Sequence, residues 1–379
     1  MANRVEALER QGHDVEVVAV RDHRSAAARY AGLLTGVVRA ARPGRTSRSG
    51  TPGTVVEAHI AHPSGAFAWP LAARLRAPLV LFAHGSDVLR LPGRSRVDAR
   101  LCRFVFERAD LVVANSRYLA GEVAGRFHLP AERVAVVSPG IRYADLAAAR
   151  VASDRRTDSG TIADGRASRP YELLFVANLV HRKGLDVLLA ALAELDRRGV
   201  PVPSLRVVGD GPEREPLQRQ AAAARLRVDF AGALPQRAVV GEIARAELLA
   251  VPSREEALGL APLEAMAAGC VPVVSAVGGL AESVTDRVTG FTCPPEDSSA
   301  LASALVRAQD AVRDPARRAA LVTAGDAVAR THDVDAAAAA TIDLYAGLPA
   351  RSGSATSAGS APAGSAPPAG GAEVLRRPC

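Results

Sequence analysis

The chain is predicted to fold as two doubly wound α/β domains, each built on a parallel sheet, with a cleft between them. Three observations carry that prediction. Short apolar runs alternate with amphipathic, helix-like segments along most of the 379 residues. Many of the runs are apolar on both faces, as strands are when helices cover each side of a parallel sheet. A polar stretch without periodicity, 154–170, splits the runs into two series, as a linker would.

The elements follow in order. Residues 3–10 read as a helix ended by Gly12, and "VEVVAV" (15–20) reads as a strand. A parallel α/β domain ordinarily places a strand and a loop before its opening helix. The first domain is therefore expected to lack its first strand, the alternative being that it simply begins with a helix. Further strands are expected at "TVVEAH" (54–59), "LVLFA" (79–83), "LVVA" (111–114) and "VAVV" (134–137). The second series is "YELLFVA" (171–177), "SLRVVG" (204–209), "LLAVPS" (248–253) and "VPVVSA" (271–276). "VDARLCRFVFERA", "DVLLAALAELDRRG" and "PEREPLQRQAAAARL" supply helices between them. The resulting division is a first domain at 1–150, a linker at 151–170, a second domain at 171–330 and a closing helix at 331–349. The Ala/Gly/Ser/Pro tail 350–379 has too few large apolar side chains to order itself.

Composition narrows the function. Apolar residues make up 48% and charged residues 23%, which is globular, and no run approaches the roughly 18 apolar residues of a membrane span. The polar start "MANRVEALERQGHDVEV" is no signal peptide. Cys102, Cys270, Cys293 and Cys379 are scattered without a Cys-x-x-Cys pair, so reduced thiols and a cytoplasmic setting are expected. The net charge of +7 comes from dispersed arginines, and aromatics are only 4%, a poor match to nucleic-acid binding. A basic face that visits anionic membrane fits better. Lys183 is the single lysine among 47 Lys and Arg residues. A chain that otherwise uses arginine and keeps one lysine points to a site that needs a compact ammonium.

The richest stretch is "SREEALGLAPLEAMAAGCVPVVSAVGG", Ser253–Gly279. A buried strand enters it, Gly259 permits close backbone approach, and Pro262 sits in the first turn of a helix that Gly269 ends. Gly259, Leu260 and Ala261 thus feed a helix N-terminus, whose free N–H groups favour a phosphate. Glu264, one turn in, either complements the helix dipole or accepts hydrogen bonds from a diol. Glu256, in the preceding loop, either reaches hydroxyls further along the same ligand or is a solvated loop carboxylate. In "FVANLVHRKGLDVLLAAL" (175–192), Arg182 and Lys183 follow a strand, and either suit a departing diphosphate or are two solvated surface cations. In "LVLFAHGSDVLR" (79–90), His84, Gly85 and Asp87 follow a strand of the other domain. They either meet a sugar or phosphate in the cleft, or form a His–Asp pair that merely orders the turn. "VVGDGPER" (207–214) adds a weaker Gly-rich turn at Gly209 and Gly211.

Taken together and in this order, these stretches resemble the retaining glycosyltransferases of the GT-B fold, family 4. The resemblance spans about residues 3 to 348 and rests on the Glu-x7-Glu pair Glu256 and Glu264. The "RKG", "GDGP", "HGSD" and "SPG" (138–140) turns accompany it. It implies that Glu264 binds donor ribose, Glu256 contacts the transferred sugar, and Lys183 binds the diphosphate and helps it leave. His84 would contact the sugar or an acceptor phosphate, with Gly85 and Asp87 on the acceptor side. Gly259, Leu260 and Ala261 would offer amides, and Asn178, Arg182, Gly209 and Gly211 would complete the donor site. No metal or cofactor is implied, and the partners are a nucleotide-sugar donor and a lipid-linked or saccharide acceptor. Two positions depart from the family pattern. Asn178 stands where arginine is usual, with Arg182 as its candidate replacement, and Arg142 stands where aspartate is common. The competing expectations are a non-catalytic sugar-nucleotide-binding protein and a UDP-sugar epimerase of the same fold.

Overall fold

A computed structural model describes residues 2–18, 54–158 and 172–349. Two parallel sheets form among them. The first has the order β1-β2-β3-β4, with β1 Val56–His59, β2 Leu79–Ala83, β3 Leu111–Ala114 and β4 Val134–Val136. The second has the order β10-β9-β8-β5-β6-β7. Its strands are β5 Leu173–Val176, β6 Leu205–Val208, β7 Val228–Gly232, β8 Leu248–Val251, β9 Val271–Ser275 and β10 Phe291–Cys293. Every pairing is parallel, for example Leu81 beside Val112 and Leu249 beside Pro272. Helices cover both faces, so β2, β3, β8 and β9 are buried at every position. That explains why these strands carry no polar alternation.

In the second lobe the order steps outward from β5 through β6 to β7, then restarts on the other side of β5 with β8. A crevice opens beyond the carboxyl ends of β5 and β8, where successive crossovers leave in opposite directions. Packing holds these strands rigidly. Leu188 and Leu192 of helix Leu185–Arg197 are 0% exposed and share a core with Leu173, Phe175 and Leu205. Each such leucine contributes about 1.5–3 kcal/mol relative to an exposed one.

The structure departs from the sequence reading in three places. Residues 15–18 are irregular rather than a strand, and the rest of the expected 15–20 run lies outside the described residues. Val15 instead packs on Ala7, Leu8, Val334 and Ala338, so helix contacts satisfy its apolar character. Strands β7 and β10 had no counterpart in the sequence reading. They are the two edges of their sheet; β7 is only partly buried and carries Asp229, β10 has three residues with Thr292 in the middle, and neither has the continuous apolar run of the inner strands. The linker expected from 151 instead begins inside helix Tyr143–Asp158. The expected tail 350–379 lies outside the described residues.

Two segments cross between the lobes. Helix Tyr143–Asp158 packs on helices Gln236–Arg245 and Leu260–Ala267 of the second lobe. Helix Val334–Ala346 returns to the first lobe, against helix Ala2–Arg10 and near Val80, Phe82, Leu111 and Val113 of its sheet. The crossings touch where Ile141 N donates to His332 O (2.8 Å) and Val334 N donates to Ile141 O (3.0 Å). Gly140 makes this approach feasible: its φ is 80°, and a Cβ there would lie 2.5 Å from Val334 Cα.

Candidate active site

The crevice between β5 and β8 is lined by the ends of both strands, from Phe175 to Ala177 and at Ala250 and Val251. Lys183, Ser253, Glu256, Gly259, Leu260 and Ala261 complete its lining. Lys183 comes from the short helical turn His181–Lys183 that follows β5. Glu256 comes from the loop after β8. The two side chains form an ion pair, and both are largely buried, at 18% and 15% exposure. Ser253 Oγ lies 3.5 Å from the same Glu256 oxygen.

Glycines shape the loop around this pair. Gly259, at φ 81°, precedes helix Leu260–Ala267, and a Cβ there would meet Leu280 Cδ2 at 2.4 Å. Behind the loop, Gly279 N donates to Glu256 O (3.1 Å). A Cβ on Gly278 would lie 2.0 Å from that oxygen.

Arg254 fastens the two loops together. Its Nη1 and Nη2 grip both oxygens of Asp186 at 2.8 and 2.7 Å, and Nη1 also donates to His181 O (2.6 Å). Its backbone N donates to Arg182 O (2.8 Å). Burial pushes the Asp186 pKa up, but the hydrogen bonds and charge of Arg254 outweigh it and hold the carboxyl below its usual range. Arg254→Ala is expected to lower stability by about 2–3 kcal/mol, because it leaves a partly buried carboxylate unpaired. Nucleotide affinity should fall with it as Lys183 and Glu256 separate. Urea unfolding and nucleotide titration of the variant check both.

Other expected site residues fall differently. Glu264 lies one turn down the helix and is not among the residues lining the crevice. It makes no side-chain hydrogen bond among the described residues, and burial pushes its pKa up. At the fifth helical position it is past the reach of the dipole. Asn178 is exposed and Arg182 half-buried, and neither lines the crevice. Gly209 and Gly211 have packing reasons of their own. A Cβ on Gly209 would lie 1.8 Å from Ala177 O, and one on Gly211 would lie 2.4 Å from Leu179 O. Asp87, expected on the acceptor side, is 0% exposed. Its carboxylate accepts from Ala61 N (3.2 Å) and His84 N (3.1 Å), so it orders the turn and is closed to a ligand.

The first lobe meets the crevice loop directly. A Cβ on Gly85, at φ 98°, would collide with Ala257 Cβ at 2.5 Å. Ser116 Oγ donates to Ala257 O (2.5 Å), and Arg90 pairs with Glu255 (3.5 Å). Glu282 accepts from Arg117 N (3.0 Å) and Tyr118 N (2.5 Å). His84 therefore stands one residue from the contact that faces Glu256. Its side chain is exposed, yet burial of its surroundings pushes its pKa down to about 4, and the His59 ring and the Arg4 guanidinium nearby further disfavour a charge on it.

Behind His84 lies a cluster the sequence reading missed. Buried Arg4 grips Glu57 at 3.2 and 3.3 Å and also donates to Thr341 Oγ1 (2.9 Å). Tyr345 OH donates to Glu57 Oε1 (2.5 Å). Burial raises the Glu57 pKa, but His59, Arg4 and Tyr345 outweigh it and bring the pKa down to about 2. A depressed carboxylate stabilises the fold above the usual value of 4.5 and loses that contribution as pH falls toward 2. Over that window wild-type stability should fall more steeply than that of Glu57→Gln, by up to about 3 kcal/mol. Denaturant titrations at stepped pH measure the difference. Arg4, Glu57 and Tyr345 come from three distant segments, and no sequence motif joins them.

Comparison with known proteins agrees with this architecture. Residues 1–144 match the model of Glycosyltransferase Family 4, and residues 162–326 match that of Glycosyl transferases group 1. The chain belongs to the GT-B glycosyltransferases of family 4. Among relatives in the family, a D-inositol 3-phosphate glycosyltransferase of Salinispora tropica is 33% identical over 305 residues, covering 74% of this chain and 61% of the relative. A GDP-mannose-dependent alpha-(1-6)-phosphatidylinositol monomannoside mannosyltransferase of Mycolicibacterium smegmatis is 34% identical, covering 68% and 66%. The chain thus spans less than two thirds of either relative. The Anabaena protein Alr3699/HepE, solved in complex with UDP and glucose, shares the fold at TM-score 0.67 and 22% identity. That match covers 91% of this chain and 89% of the other.

Proposed function

We propose that this family 4 glycosyltransferase moves a hexose from a nucleoside-diphosphate sugar to a saccharide or lipid-linked acceptor, without a metal ion and with retention of anomeric configuration. The observation that carries the reading is the convergence of Lys183, Glu256 and the amide end of helix Leu260–Ala267 on one crevice. A diphosphate brings more negative charge than one carboxylate, so it competes with Glu256 for the Lys183 ammonium. The free N–H groups at Leu260 and Ala261 take its remaining oxygens. Glu256, released, accepts from hydroxyls of the transferred sugar. Glu264, poorly solvated and without a partner among the described residues, is suited to a ribose diol. As the sugar–phosphate bond breaks, Lys183 stabilises the growing charge, and the departing phosphate takes the acceptor proton. Retention is supported by the family resemblance. The donor class is supported by the GDP-mannose-dependent relative and by the UDP and glucose of the Anabaena structure.

The test is a thermal-shift screen of GDP-, UDP- and ADP-sugars, followed by measurement of free sugar and nucleotide released from the best ligand. The reading requires that one donor raise the melting temperature and turn over. Binding without turnover supports a non-catalytic binder instead, and failure of all three donors to bind overturns the reading.

The same reading includes peripheral contact with anionic membrane. It is supported by exposed Arg94, Arg96, Arg100 and Arg103 around Val97, itself 65% exposed, on or beside helix Arg96–Arg108. Among the described residues no helix is long and apolar enough to cross a membrane. Flotation with phosphatidylglycerol vesicles, and not with phosphatidylcholine vesicles, is the expected result.

A further inference from the structure

His84 directly precedes Gly85, the first-lobe residue that meets the crevice loop at Ala257, and its ring nitrogens are not equivalent. Nε2 lies 3.0 Å from His59 Nδ1, and His59 Nε2 lies 3.3 Å from Glu57 Oε2. Among the described residues His84 Nδ1 has no hydrogen-bond partner, on a ring that solvent reaches. The chain Glu57–His59–His84 runs along the carboxyl ends of β1 and β2. The His59 ring is held flat against Phe82, with centroids 4.8 Å apart and planes 13° apart. Arg4 sits 4.3 Å from the centroid of that same Phe82 ring.

Proton counting then sets the direction of each bond. Glu57 accepts from Arg4 and from Tyr345 OH, and its pKa is down at about 2, so it is an ionised acceptor. His59 Nε2 must therefore carry the hydrogen. A neutral imidazole carries only one, so His59 Nδ1 is a lone pair. It can accept only from His84 Nε2–H, which leaves His84 Nδ1 bare.

We propose that Glu57 and His59 are positioning residues that hold His84 as its Nε2–H tautomer, presenting Nδ1 as a hydrogen-bond acceptor for a sugar hydroxyl. The proposal rests on the donor-site reading above for the ligand, though not for the tautomer. It decides between the two contacts open to His84: a bare nitrogen repels phosphate oxygen and takes a hydroxyl. The groups facing His84 are Glu57 and His59 from β1, Arg4 from the opening helix and Tyr345 from the closing helix. Asp87 stands in its own turn, with Glu255 and Glu256 on the loop across the cleft. A proton entering the imidazole pair and passing to His59 reverses the His59–His84 bond and turns His84 Nδ1 into a donor.

The test is two-bond proton–nitrogen correlation of the histidine rings in the full chain labelled with 15N-histidine, which reads tautomers without substrate. Near neutral pH wild type should show both His59 and His84 as neutral Nε2–H rings. In His59→Phe, which keeps the stacked ring, His84 should become a tautomer mixture, and it should titrate closer to an ordinary histidine. Tyr345→Phe loosens the same knot without touching the imidazoles, so it should leave both tautomers as they were. Kinetically, His59→Phe and Glu57→Gln should lose about tenfold in donor kcat/KM, the worth of one hydrogen bond, with a shifted acid limb. Tyr345→Phe should keep the wild-type pH profile. An Nδ1–H or mixed His84 in wild type, or a tautomer unchanged in both Glu57→Gln and His59→Phe, overturns the relay. Clean tautomers in a wild type that turns over no nucleotide sugar leave the relay standing and overturn the donor-site reading.

Discussion

Lys183→Met should reduce donor turnover by about a thousandfold while the chain stays folded. The bond to the leaving diphosphate breaks with charge building on phosphate oxygens, and Lys183 is the cation lining the crevice. Its neighbour Arg182 is half-buried, does not line the crevice, and lends its backbone carbonyl to Arg254. It is not placed to substitute. Removing the ammonium also strands Glu256, which is 15% exposed, so some stability is lost alongside activity. Lys183→Arg should recover only part of the rate. A planar fork cannot occupy the position of a compact ammonium against Glu256 without pushing the loop. Steady-state rates and melting curves of the two variants decide the matter. Turnover within tenfold of wild type in Lys183→Met sinks the role assigned to this residue.

The second large effect is structural and lies next door. Gly184 has φ 69°, and a Cβ built on it would sit 1.9 Å from the carbonyl oxygen of Pro252. That oxygen belongs to backbone, so no side chain can swing aside. Either the Lys183 turn or the loop carrying Ser253 and Glu256 must move. Gly184→Ala is expected to cost about 2–4 kcal/mol, combining the left-handed backbone with an overpacked contact. Donor binding should weaken at the same time, since the two loops that close the crevice can no longer seat against each other. Urea unfolding with nucleotide titration tests this, and wild-type stability with wild-type affinity would refute the seating argument.

Several of these features were legible in the residues. Inner strands such as "LVLFA" and "LVVA" were found at their observed positions because burial on both faces leaves no room for polar residues. Lys183 stood out as the only lysine, and the Gly259–Ala261 segment as a helix start, because both signals are local. Edge strands β7 and β10 were not legible, since an edge strand tolerates residues such as Asp229 and Thr292. Asp87 reads the same whether it faces a ligand or caps a turn, and only packing around it closed the first option. At Gly209 and Gly211 the structure adds a packing reason for glycine, a close approach to Ala177 and Leu179 that no spacing reveals.

The amino-acid sequence alone determined the parallel α/β architecture and located the loops that line the crevice. Hydrophobic periodicity and glycine placement act over a few residues and survive in the linear order. Tertiary structure alone decided the partnerships: Arg254 with Asp186, Lys183 with Glu256, Arg4 and Tyr345 with Glu57, and His59 with His84. These contacts join residues from 25 to 288 positions apart. Their strength depends on distance and burial in space, and neither is encoded in the separation along the chain.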